Sequence, residues 1–317
     1  MLLILTNSND ATADYLASVL EKHGVRFLRF NTDTSLPLVR FSYNGEQPCL
    51  RVAGETFRPD QFTNVWYRRP ERLKHPLLDD SPEGKFIFGE WAEALEGFFA
   101  HIPLRLWMNH PSKNVGAGHK VEQLTTAQRL GFTIPDTLVT QDADDLRAFA
   151  AKHKGGIIAK PMGSGYVERP EGQRDSLVYT NRVEPSHLAD LDDLAGCPTL
   201  FQRCIEKRSD VRITVVDGDL HPAELLASEP DGSQRCDVRR NNMEDVKYQP
   251  ITLPDDVARK IRALTDHYGL RFAAVDMAVG TDGVWYFFEV NPNGQWAWLD
   301  LVGGMNIAGS LVKVFRV

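Results

Sequence analysis

The 317-residue chain begins with an apolar run, a helical pattern and a second apolar run, and this alternation restricts the fold more than any other feature. Residues 2–5 are continuously apolar and predict a buried strand, followed by turn-forming residues that can cap a helix. Apolar residues on one helical face predict that helix over residues 15–22, and residues 25–30 predict the next strand. Strand–helix–strand order is typical of a parallel sheet covered by helices, so we expect an α/β fold.

The composition excludes several classes of protein. Hydrophobic residues make up 42% and charged residues 25% of the chain, which rules out a collagen-like, coiled-coil or mainly disordered protein. Because 36 Lys and Arg face 43 Asp and Glu, no overall positive field attracts nucleic acid or an anionic membrane. No apolar stretch reaches the roughly 18 residues of a membrane helix, and the first residues lack a signal-peptide pattern. The four cysteines follow no metal or disulfide spacing, so we expect free thiols in a cytoplasmic protein.

We expect three domains along the chain, and turn-forming residues mark the first boundary. The first, an α/β domain over residues 1–109, ends near Asn109-His110-Pro111. The second covers residues 110–198 and contains a glycine-rich loop. The third covers residues 199–317. Its predicted strands are residues 199–205, 211–216, 220–226, 272–279 and 284–290, and its predicted helix is residues 255–267.

The last predicted hairpin relates two acidic residues to each other. A Gly-Thr-Asp-Gly segment between two apolar runs predicts its tight turn. If the two glycines face each other, Asp276 pairs with Phe287, and Glu289 becomes a diagonal neighbour about 7–8 Å away at the backbone. Side chains alternate along a strand, so Asn291 shares the face of both carboxylates, whereas Phe288 lies on the core face.

The three oxygen-bearing side chains of this hairpin predict a magnesium site. Carboxylate and amide oxygens without nearby Cys or His are typical ligands of Mg²⁺ rather than of zinc. Magnesium prefers phosphates as its remaining ligands, so the site indicates a bound nucleotide. The Asn-Pro-Asn-Gly sequence after the strand favours this reading, because it gives up sheet pairing and offers oxygens and close backbone approach. The alternative is that Asp276 and Glu289 are solvated residues on an exposed sheet face.

Two lysines and a glycine-rich loop are candidate phosphate ligands. Lys120 begins a predicted helix, and Lys160 ends a predicted strand directly before Gly163-Ser164-Gly165. Backbone N–H groups of such a loop can hold phosphate oxygens beside a lysine. The loop is neither a Walker A sequence nor a dinucleotide-binding turn. The alternative is a surface lysine beside a tight turn.

The strand–connection–strand segment over residues 201–212 supplies candidate nucleotide-reading groups. Backbone groups of the connection can meet an adenine edge, while Glu206 or Lys207 reaches the ribose or base and Arg212 meets a phosphate. Arg239 and Arg240 form a second local positive site. The alternative for these charges is a surface ion-pair network worth about 0–1 kcal/mol per pair.

Taken in chain order, these segments resemble the ATP-grasp superfamily of carboxylate–amine and carboxylate–alcohol ligases. The resemblance extends from about residue 111 to the C-terminus. Three segments are similar to the graspetide synthetases, the microviridin-type peptide macrocyclases: Trp66-Tyr-Arg-Arg-Pro70, residues 201–212, and Asn291-Pro-Asn-Gly-Gln-Trp296. The family often has an aromatic residue where this chain has Val238.

The resemblance implies an ATP-grasp fold, in which two α+β subdomains sandwich ATP beside an N-terminal βαβ domain. It implies ATP and two Mg²⁺ as cofactors, Arg212 and Arg239 as catalytic residues, and Asp276, Glu289 and Asn291 as metal ligands. The nucleotide-binding residues that it implies are Lys120, Lys160, Gly163, Ser164, Gly165, Gln202, Arg203, Cys204, Ile205, Lys207 and Asp210.

The implied activity is ATP-dependent crosslinking of a ribosomally made precursor peptide. An Asp or Glu side chain of the peptide becomes an acyl phosphate, and a Ser, Thr or Lys side chain displaces the phosphate to form an ester or amide. The expected partner is a peptide with a leader and an acidic core, without nucleic acid or membrane, and a homodimer is left open. The segment over residues 166–182, with Arg169, Arg174 and Arg182, is a candidate lid or peptide-facing loop, or an ordinary surface loop.

Two other functions remain open. The first is a ligase that adds free amino acids to a protein or small-molecule carboxylate, similar to the ribosomal-protein glutamate ligases. The second, from another class, is a nucleotide-binding regulator without chemistry.

Overall fold

The computed structural model describes residues 1–170, 173–240 and 243–316. In chain order its first elements are β1 (Leu2–Thr6), α1 (Ala11–Lys22), β2 (Phe27–Asn31), β3 (Val39–Ser42), β4 (Cys49–Val52), β5 (Glu55–Phe57), β6 (Asn64–Tyr67), α2 (Pro82–Ala100) and α3 (Pro111–Gly116). A parallel sheet has the strand order β2–β1–β6, and a small antiparallel sheet has the order β3–β4–β5. The expected strand–helix–strand start of an α/β fold is confirmed.

Helix α1 begins four residues earlier than its apolar spacing predicts. Asp10 caps it, because its carboxylate accepts a hydrogen bond from the backbone N–H of Ala13 at 3.3 Å. The Thr6 hydroxyl donates to the same carboxylate at 2.7 Å and fixes the cap to the end of β1. A side-chain oxygen in this position satisfies an N–H that the helix itself leaves unpaired.

The central part of the chain is built on a four-stranded antiparallel sheet. Its elements are α4 (Lys120–Arg129), β7 (Thr137–Thr140), α5 (Ala143–Lys152), β8 (Ile157–Lys160), β9 (Tyr166–Val167), β10 (Ser176–Leu177), β11 (Asn181–Arg182), α6 (Pro185–Ala189) and β12 (Thr199–Arg203). The sheet order is β11–β8–β12–β7, and β9 pairs with β10 in a separate hairpin. The central sheet therefore includes β12, which follows the boundary expected at residue 198.

The C-terminal part is a five-stranded antiparallel sheet with helices on both faces. Its elements are β13 (Lys207–Val216), β14 (Asp219–Leu226), β15 (Lys247–Pro250), α7 (Asp255–Tyr268), β16 (Phe272–Gly280), β17 (Trp285–Asn291), α8 (Ala297–Leu301) and α9 (Ile307–Phe315). The strand order is β15–β14–β13–β16–β17. Among the described residues, no helix is both long and apolar enough to cross a membrane.

Helix α7 covers one face of the C-terminal sheet. Val257, Ile261 and Leu264 follow the helical spacing of a single apolar stripe and are buried. They belong to the same apolar cluster as Val275 and Met277 of β16. Since alternate residues of a strand point to opposite faces, Asp276 is directed away from α7 and toward a cleft.

The last two helices join the C-terminal part to the first sheet. The Trp296 ring lies 5.8 Å from the Tyr15 ring of α1, and the Phe315 ring lies 6.2 Å from the Trp66 ring of β6. These rings belong to one apolar cluster with the inner residues of β1. The packing holds the connection between β17 and α8 against the first domain.

Candidate active site

The hairpin of β16 and β17 places Asp276 directly opposite Glu289. Pairing runs in one register from Val279 to Met277, and a bulge between Met277 and Asp276 then shifts it by one residue. The predicted diagonal relation of the two carboxylates was wrong for two reasons. An odd number of residues separates the paired residues Val279 and Trp285, and the bulge adds a residue to β17.

The odd-length turn also exchanges the faces of two aromatic side chains. Phe287, expected beside the carboxylates, is fully buried and packs 5.1 Å from the Phe132 ring. Phe288, expected in the core, lies in the cleft wall, with its ring 5.6 Å from Lys160 Nζ and 5.9 Å from Lys207 Nζ. An aromatic face near two ammonium groups attracts both of them. The bulge then returns Glu289 to the face of Asp276, and bulges are frequent beside active sites because they redirect side chains in this way.

Each carboxylate has its own cationic partner. Lys120 Nζ donates to Glu289 Oε2, and Arg212 Nη1 lies 2.6 Å from each Asp276 carboxylate oxygen. Burial raises the pKa of Asp276 above its ordinary value, although Arg212 acts against this shift. Burial also acts to raise the pKa of Glu289, but Lys120 and Lys160 outweigh it, and the pKa lies below its ordinary value.

The loop after β17 carries Asn291, the third expected metal ligand. Its side-chain oxygen accepts a hydrogen bond from the N–H of Asn293 at 2.9 Å. The Asn109 amide donates to the Pro292 carbonyl at 2.9 Å and to the Phe272 carbonyl at 2.7 Å. A Cβ at Gly294 would collide with the Ala274 side chain of β16. The loop is therefore pinned at several points, and the glycine is required by its close approach to the sheet.

The three oxygen-bearing side chains fit a magnesium ion. Asp276, Glu289 and Asn291 all line one cleft of about 1810 Å³. About a third of the Asp276 and Glu289 side chains, 33% and 29%, remains exposed there. Among the described residues no cluster of three or more His, Cys, Asp and Glu side chains is arranged to hold a metal. An ion at this site therefore needs further ligands from phosphate and water, which is the coordination that Mg²⁺ prefers.

The structure brings nearly all expected nucleotide-binding residues to the same cleft. Gly165 is the exception: its φ of +71° serves the turn into the β9–β10 hairpin, and its carbonyl accepts a hydrogen bond from Val178 at 2.8 Å. The expected residues that line the cleft are Lys120, Lys160, Gly163, Ser164, Gln202, Arg203, Cys204, Ile205, Lys207 and Asp210. Arg212 and Arg239 line it as well.

Lys207 is held in the cleft wall by a buried network. Its ammonium group donates to Asp210 at 2.7 Å and to the Cys236 carbonyl at 3.0 Å. Gln234 donates to the other Asp210 oxygen at 3.0 Å. Burial raises the pKa of Asp210, and Lys207 acts against this shift. Asp210 therefore positions the lysine, a role that the spacing Lys-x-x-Asp does not reveal without the fold.

The connection between β12 and β13 includes a cleft-lining residue whose backbone N–H has no acceptor among the described residues. The N–H of Arg203 donates to the Asp136 carbonyl at 2.9 Å, and that of Cys204 donates to the Gly156 carbonyl at 3.0 Å. The Gln202 side chain is buried and donates to Thr137 at 2.9 Å. Among the described residues, the N–H of Ile205 has no acceptor.

Arg239 is positioned by residues from two segments. Its Nε and Nη2 donate to the two Asp237 carboxylate oxygens at 2.9 and 2.6 Å. Burial acts to raise the pKa of Asp237, but Arg239 outweighs it, so that pKa lies below its ordinary value. Asp237 also accepts the N–H of Thr180 at 3.1 Å, and the Arg239 guanidinium lies 5.6 Å from the Tyr179 ring. Sequence patterns gave no signal for Tyr179 and Thr180, because they are distant in the chain.

The arginine-containing segment over residues 166–182 contributes unequally to the cleft. Arg182 lines it, whereas Arg169 and Arg174 do not. Residues 171 and 172 of this segment lie outside the described residues. The two arginines of the Trp66–Pro70 segment also differ: Arg68 is buried beneath the loop after β17, and Arg69 is exposed.

The chain is similar to known proteins in sequence and in fold. The model of the MvdD pre-ATP grasp domain matches residues 1–114. The macrocyclase MdnC from Microcystis aeruginosa MRC, bound with the precursor peptide MdnA, superimposes with a TM-score of 0.83 at 26% identity over 99% of each chain. A RiPP-associated ATP-grasp ligase of Chryseobacterium gregarium, in complex with ADP and a leader and core peptide, gives a TM-score of 0.81 at 27% identity, over 99% of this chain and 96% of its own.

Similarity to other ligases is more remote. A glutathione synthetase of Rhodopseudomonas palustris is 24% identical over 223 residues, which cover 68% of this chain and 64% of that protein. The chain thus matches less than two thirds of the length of this relative. The comparisons confirm the expected fold class and the expected resemblance. The chain has the ATP-grasp fold with an N-terminal pre-ATP-grasp domain, and it resembles the ATP-grasp macrocyclases of ribosomally made peptides.

Proposed function

We propose that this protein is an ATP-dependent ligase that crosslinks side chains of a ribosomally made precursor peptide. The observation that carries the proposal is the convergence of Asp276, Glu289, Lys120 and Arg212 in one cleft. Such a cluster neutralises the charge of a triphosphate and of an acyl phosphate next to it. The resemblance to peptide macrocyclases over nearly the whole chain supports a peptide as the substrate.

In this proposal, ATP lies between the central and C-terminal sheets. The free N–H of Ile205 meets the adenine edge, while Lys120 and Lys160 hold phosphate oxygens together with Gly163 and Ser164 of the loop. The ATP-binding set also includes Gln202, Arg203, Cys204, Lys207 and Asp210. Gly165 shapes the loop but does not touch the nucleotide.

Asp276, Glu289 and Asn291 are the proposed ligands of two Mg²⁺ ions. When bound, the ions neutralise phosphate charge and polarise the γ-phosphoryl group. Lys120 and Arg212 now neutralise the same carboxylates. Their cationic groups are thus already in place beside the site of the phosphates, and they can turn to phosphate oxygens when an ion takes over the carboxylates.

The proposed reaction has two steps. A carboxylate oxygen of a peptide Asp or Glu attacks the γ-phosphorus of ATP, the bond to the β–γ bridging oxygen breaks, and ADP leaves. A hydroxyl or amine of the same peptide then attacks the acyl carbon, loses its proton, and phosphate leaves. Arg212 and Arg239 stabilise negative charge on the acyl phosphate and on the oxygen that develops during the second attack.

Three further features belong to this proposal. The chain is divided into an N-terminal domain over residues 1–109, a central domain over 110–198 and a C-terminal domain over 199–317, with β12 completing the central sheet. The segment over residues 166–182 covers the cleft when the peptide is bound and excludes water, which would hydrolyse the acyl phosphate. We further propose a cytoplasmic protein that acts on a precursor with an acidic core, and the homodimer remains a prediction.

The test is incubation of the protein with ATP, Mg²⁺ and a candidate precursor peptide rich in Thr, Ser, Asp and Glu. Crosslinking removes one water from the peptide mass for each bond formed and releases one ADP. A mass gain equal to that of a supplied amino acid would instead show the amino-acid-adding ligase. ATP turnover that never depends on a peptide or an acid would contradict both ligase functions and favour a nucleotide-binding regulator.

A further inference from the structure

Arg68 is the largest charged side chain buried without any exposure to solvent. It follows Tyr67, the last residue of β6, and 0% of it is exposed. Its guanidinium reaches across from the first domain to the loop between β17 and α8. We propose that Arg68 is a positioning residue that fixes the loop of residues 291–295, and with it Asn291 and Arg212, at the proposed metal and acyl-phosphate site.

The contacts of Arg68 end on two residues of this loop. Nη1 donates to the Asn293 carbonyl, and Nη2 donates to Gln295 Oε1 at 2.6 Å. Asp10 Oδ2 lies 3.6 Å from Nε, and the Trp66 ring centroid lies 5.8 Å from the guanidinium carbon. A buried charge is tolerated only when it is paired or hydrogen-bonded, and the loop supplies the hydrogen bonds. The position of the arginine and the shape of the loop therefore depend on each other.

The same loop contacts the functional side chains on its other side. Asn293, whose carbonyl accepts from Arg68, donates its N–H to Asn291 Oδ1 at 2.9 Å. Gln295, whose side chain accepts from Arg68, offers its carbonyl to Arg212 Nη2 at 3.3 Å. A single loop residue therefore links Arg68 to each of these two groups: Asn293 links it to Asn291, and Gln295 links it to Arg212.

The charge of Arg68 persists at neutral pH in spite of its burial. Burial lowers the pKa of Arg68 to about 10, while Asp10 acts in the opposite direction. Both hydrogen bonds to the loop are therefore charge-assisted at pH 7, which makes them stronger than neutral ones. A lysine in this position has one point-like donor group and cannot reproduce the two-pronged contact.

A purely structural link between domains exists elsewhere and provides a matched control. Arg316, after α9, donates to the His23 carbonyl at the end of α1 at 3.0 Å. This arginine also joins the C-terminal part to the first domain, but it is exposed and does not touch the loop of residues 291–295. If Arg68 were only a general contact between domains, Arg316→Lys should have the same effect as Arg68→Lys.

The inference rests on the proposed function, and its test is independent of the peptide. Hydrogen exchange of the amides over residues 291–296 is measured in the metal-free protein for Arg68→Lys, Gln295→Met, Gln295→Glu and Arg316→Lys. ADP affinity is measured for each variant with and without Mg²⁺. The peptide crosslinking assay on the unmodified protein is run separately, so its failure would refute the proposed function and not the role of Arg68.

We expect the loop amides to exchange at least about tenfold faster in Arg68→Lys and Gln295→Met. The gain in ADP affinity on adding Mg²⁺ should fall by roughly 10–100-fold, as for other residues that orient metal ligands, while the Mg²⁺-free affinity is retained. Gln295→Glu should keep the amide exchange rates and the Mg²⁺-dependent gain in ADP affinity of the unmodified protein, because a carboxylate also accepts from Arg68. Arg316→Lys should match the unmodified protein in both measurements. If Arg68→Lys does not fold, the two Gln295 variants decide the question. Unchanged exchange and Mg²⁺ dependence in Gln295→Met, or equal changes in Arg316→Lys, would overturn the proposal.

Discussion

Asp276 and Glu289 face each other across two antiparallel strands, but each is neutralised from a different direction. Arg212 of the neighbouring strand β13 holds Asp276, and Lys120 at the start of α4 holds Glu289. The two cations come from different parts of the chain and meet only at this pair. The ligand-free protein therefore keeps two adjacent carboxylates without an unbalanced negative charge, and it keeps its phosphate-binding cations beside them.

Removing either carboxylate should abolish magnesium-dependent turnover. Asp276→Asn and Glu289→Gln each keep the side-chain size but remove a charged oxygen ligand. We expect ADP formation to fall by more than about 100-fold in each variant, since even residues that only orient metal ligands typically contribute about 10–100-fold. Asp219→Asn, an exposed residue of the same sheet, should leave the rate unchanged. Full turnover in the Asp276→Asn, Glu289→Gln double variant would refute the metal assignment.

Nucleotide binding should be coupled to protonation of Lys160. Burial lowers the pKa of Lys160 to about 8 in the empty protein. Above pH 8 the folded, empty protein therefore has a largely neutral lysine, and the phosphates of ADP favour its charged form. We expect proton uptake on Mg²⁺-free ADP binding at pH 8.5, and an affinity that falls as the pH rises above 8. Calorimetry in two buffers with different ionisation enthalpies measures this uptake.

Two variants separate Lys160 from other titrating lysines. Lys160→Arg should bind ADP without proton uptake in this range, because a guanidinium stays charged. Lys260→Arg, at a helix surface where the lysine pairs with Asp256, should keep the uptake. Proton uptake that is the same in Lys160→Arg as in the unmodified protein would contradict the assignment.

Gly294 should not tolerate a side chain. An added methyl group would collide with Ala274, and Arg212 Nη2 lies 3.6 Å from the same point. Relief of the clash requires a shift of the loop or of β16, so Gly294→Ala should lower the free energy of unfolding by about 1–3 kcal/mol. The comparison is Gly89→Ala in α2, where the added methyl group meets no atom within 4 Å. The free energy of unfolding of Gly89→Ala, measured with denaturant, should rise by about 0.5–1 kcal/mol. Equal stability of the two variants would show that the loop is free to move.

Cysteine reactivity should differ strongly within the chain. Burial, with Cys204 nearby, raises the pKa of Cys236 to about 11, whereas Cys197 is exposed. Because the thiolate is the reactive species, iodoacetamide at pH 8 should modify Cys236 roughly 100-fold more slowly than Cys197. Peptide mass mapping over time measures both rates, and the difference should vanish in denaturant. Equal rates in the folded protein would contradict the buried environment of Cys236.

The order of strands and helices was largely predictable from the sequence. Helix α7 shows why: its apolar stripe at Val257, Ile261 and Leu264 repeats with the helical period, and local spacing alone fixes that pattern. The helices α8 and α9 and the short strand β15 were not predicted. The apolar residues of the two helices are buried against distant parts of the chain, such as the contact between Phe315 and Trp66, and β15 is a mostly exposed polar strand.

For the site too, local sequence patterns determine some features and distant contacts determine others. The amino-acid sequence by itself determined which side chains carry the oxygens and charges, because Asp276, Glu289 and Asn291 follow one another on a recognisable hairpin. Only the tertiary structure decided their exact relation, since the odd-length turn put Phe288 in the cleft and one bulge residue brought Glu289 opposite Asp276. It alone also decided their partners. Lys120 and Arg212, the partners of the two carboxylates, are remote from them in the chain, and electrostatic pairing acts through space and leaves no periodic trace in the sequence.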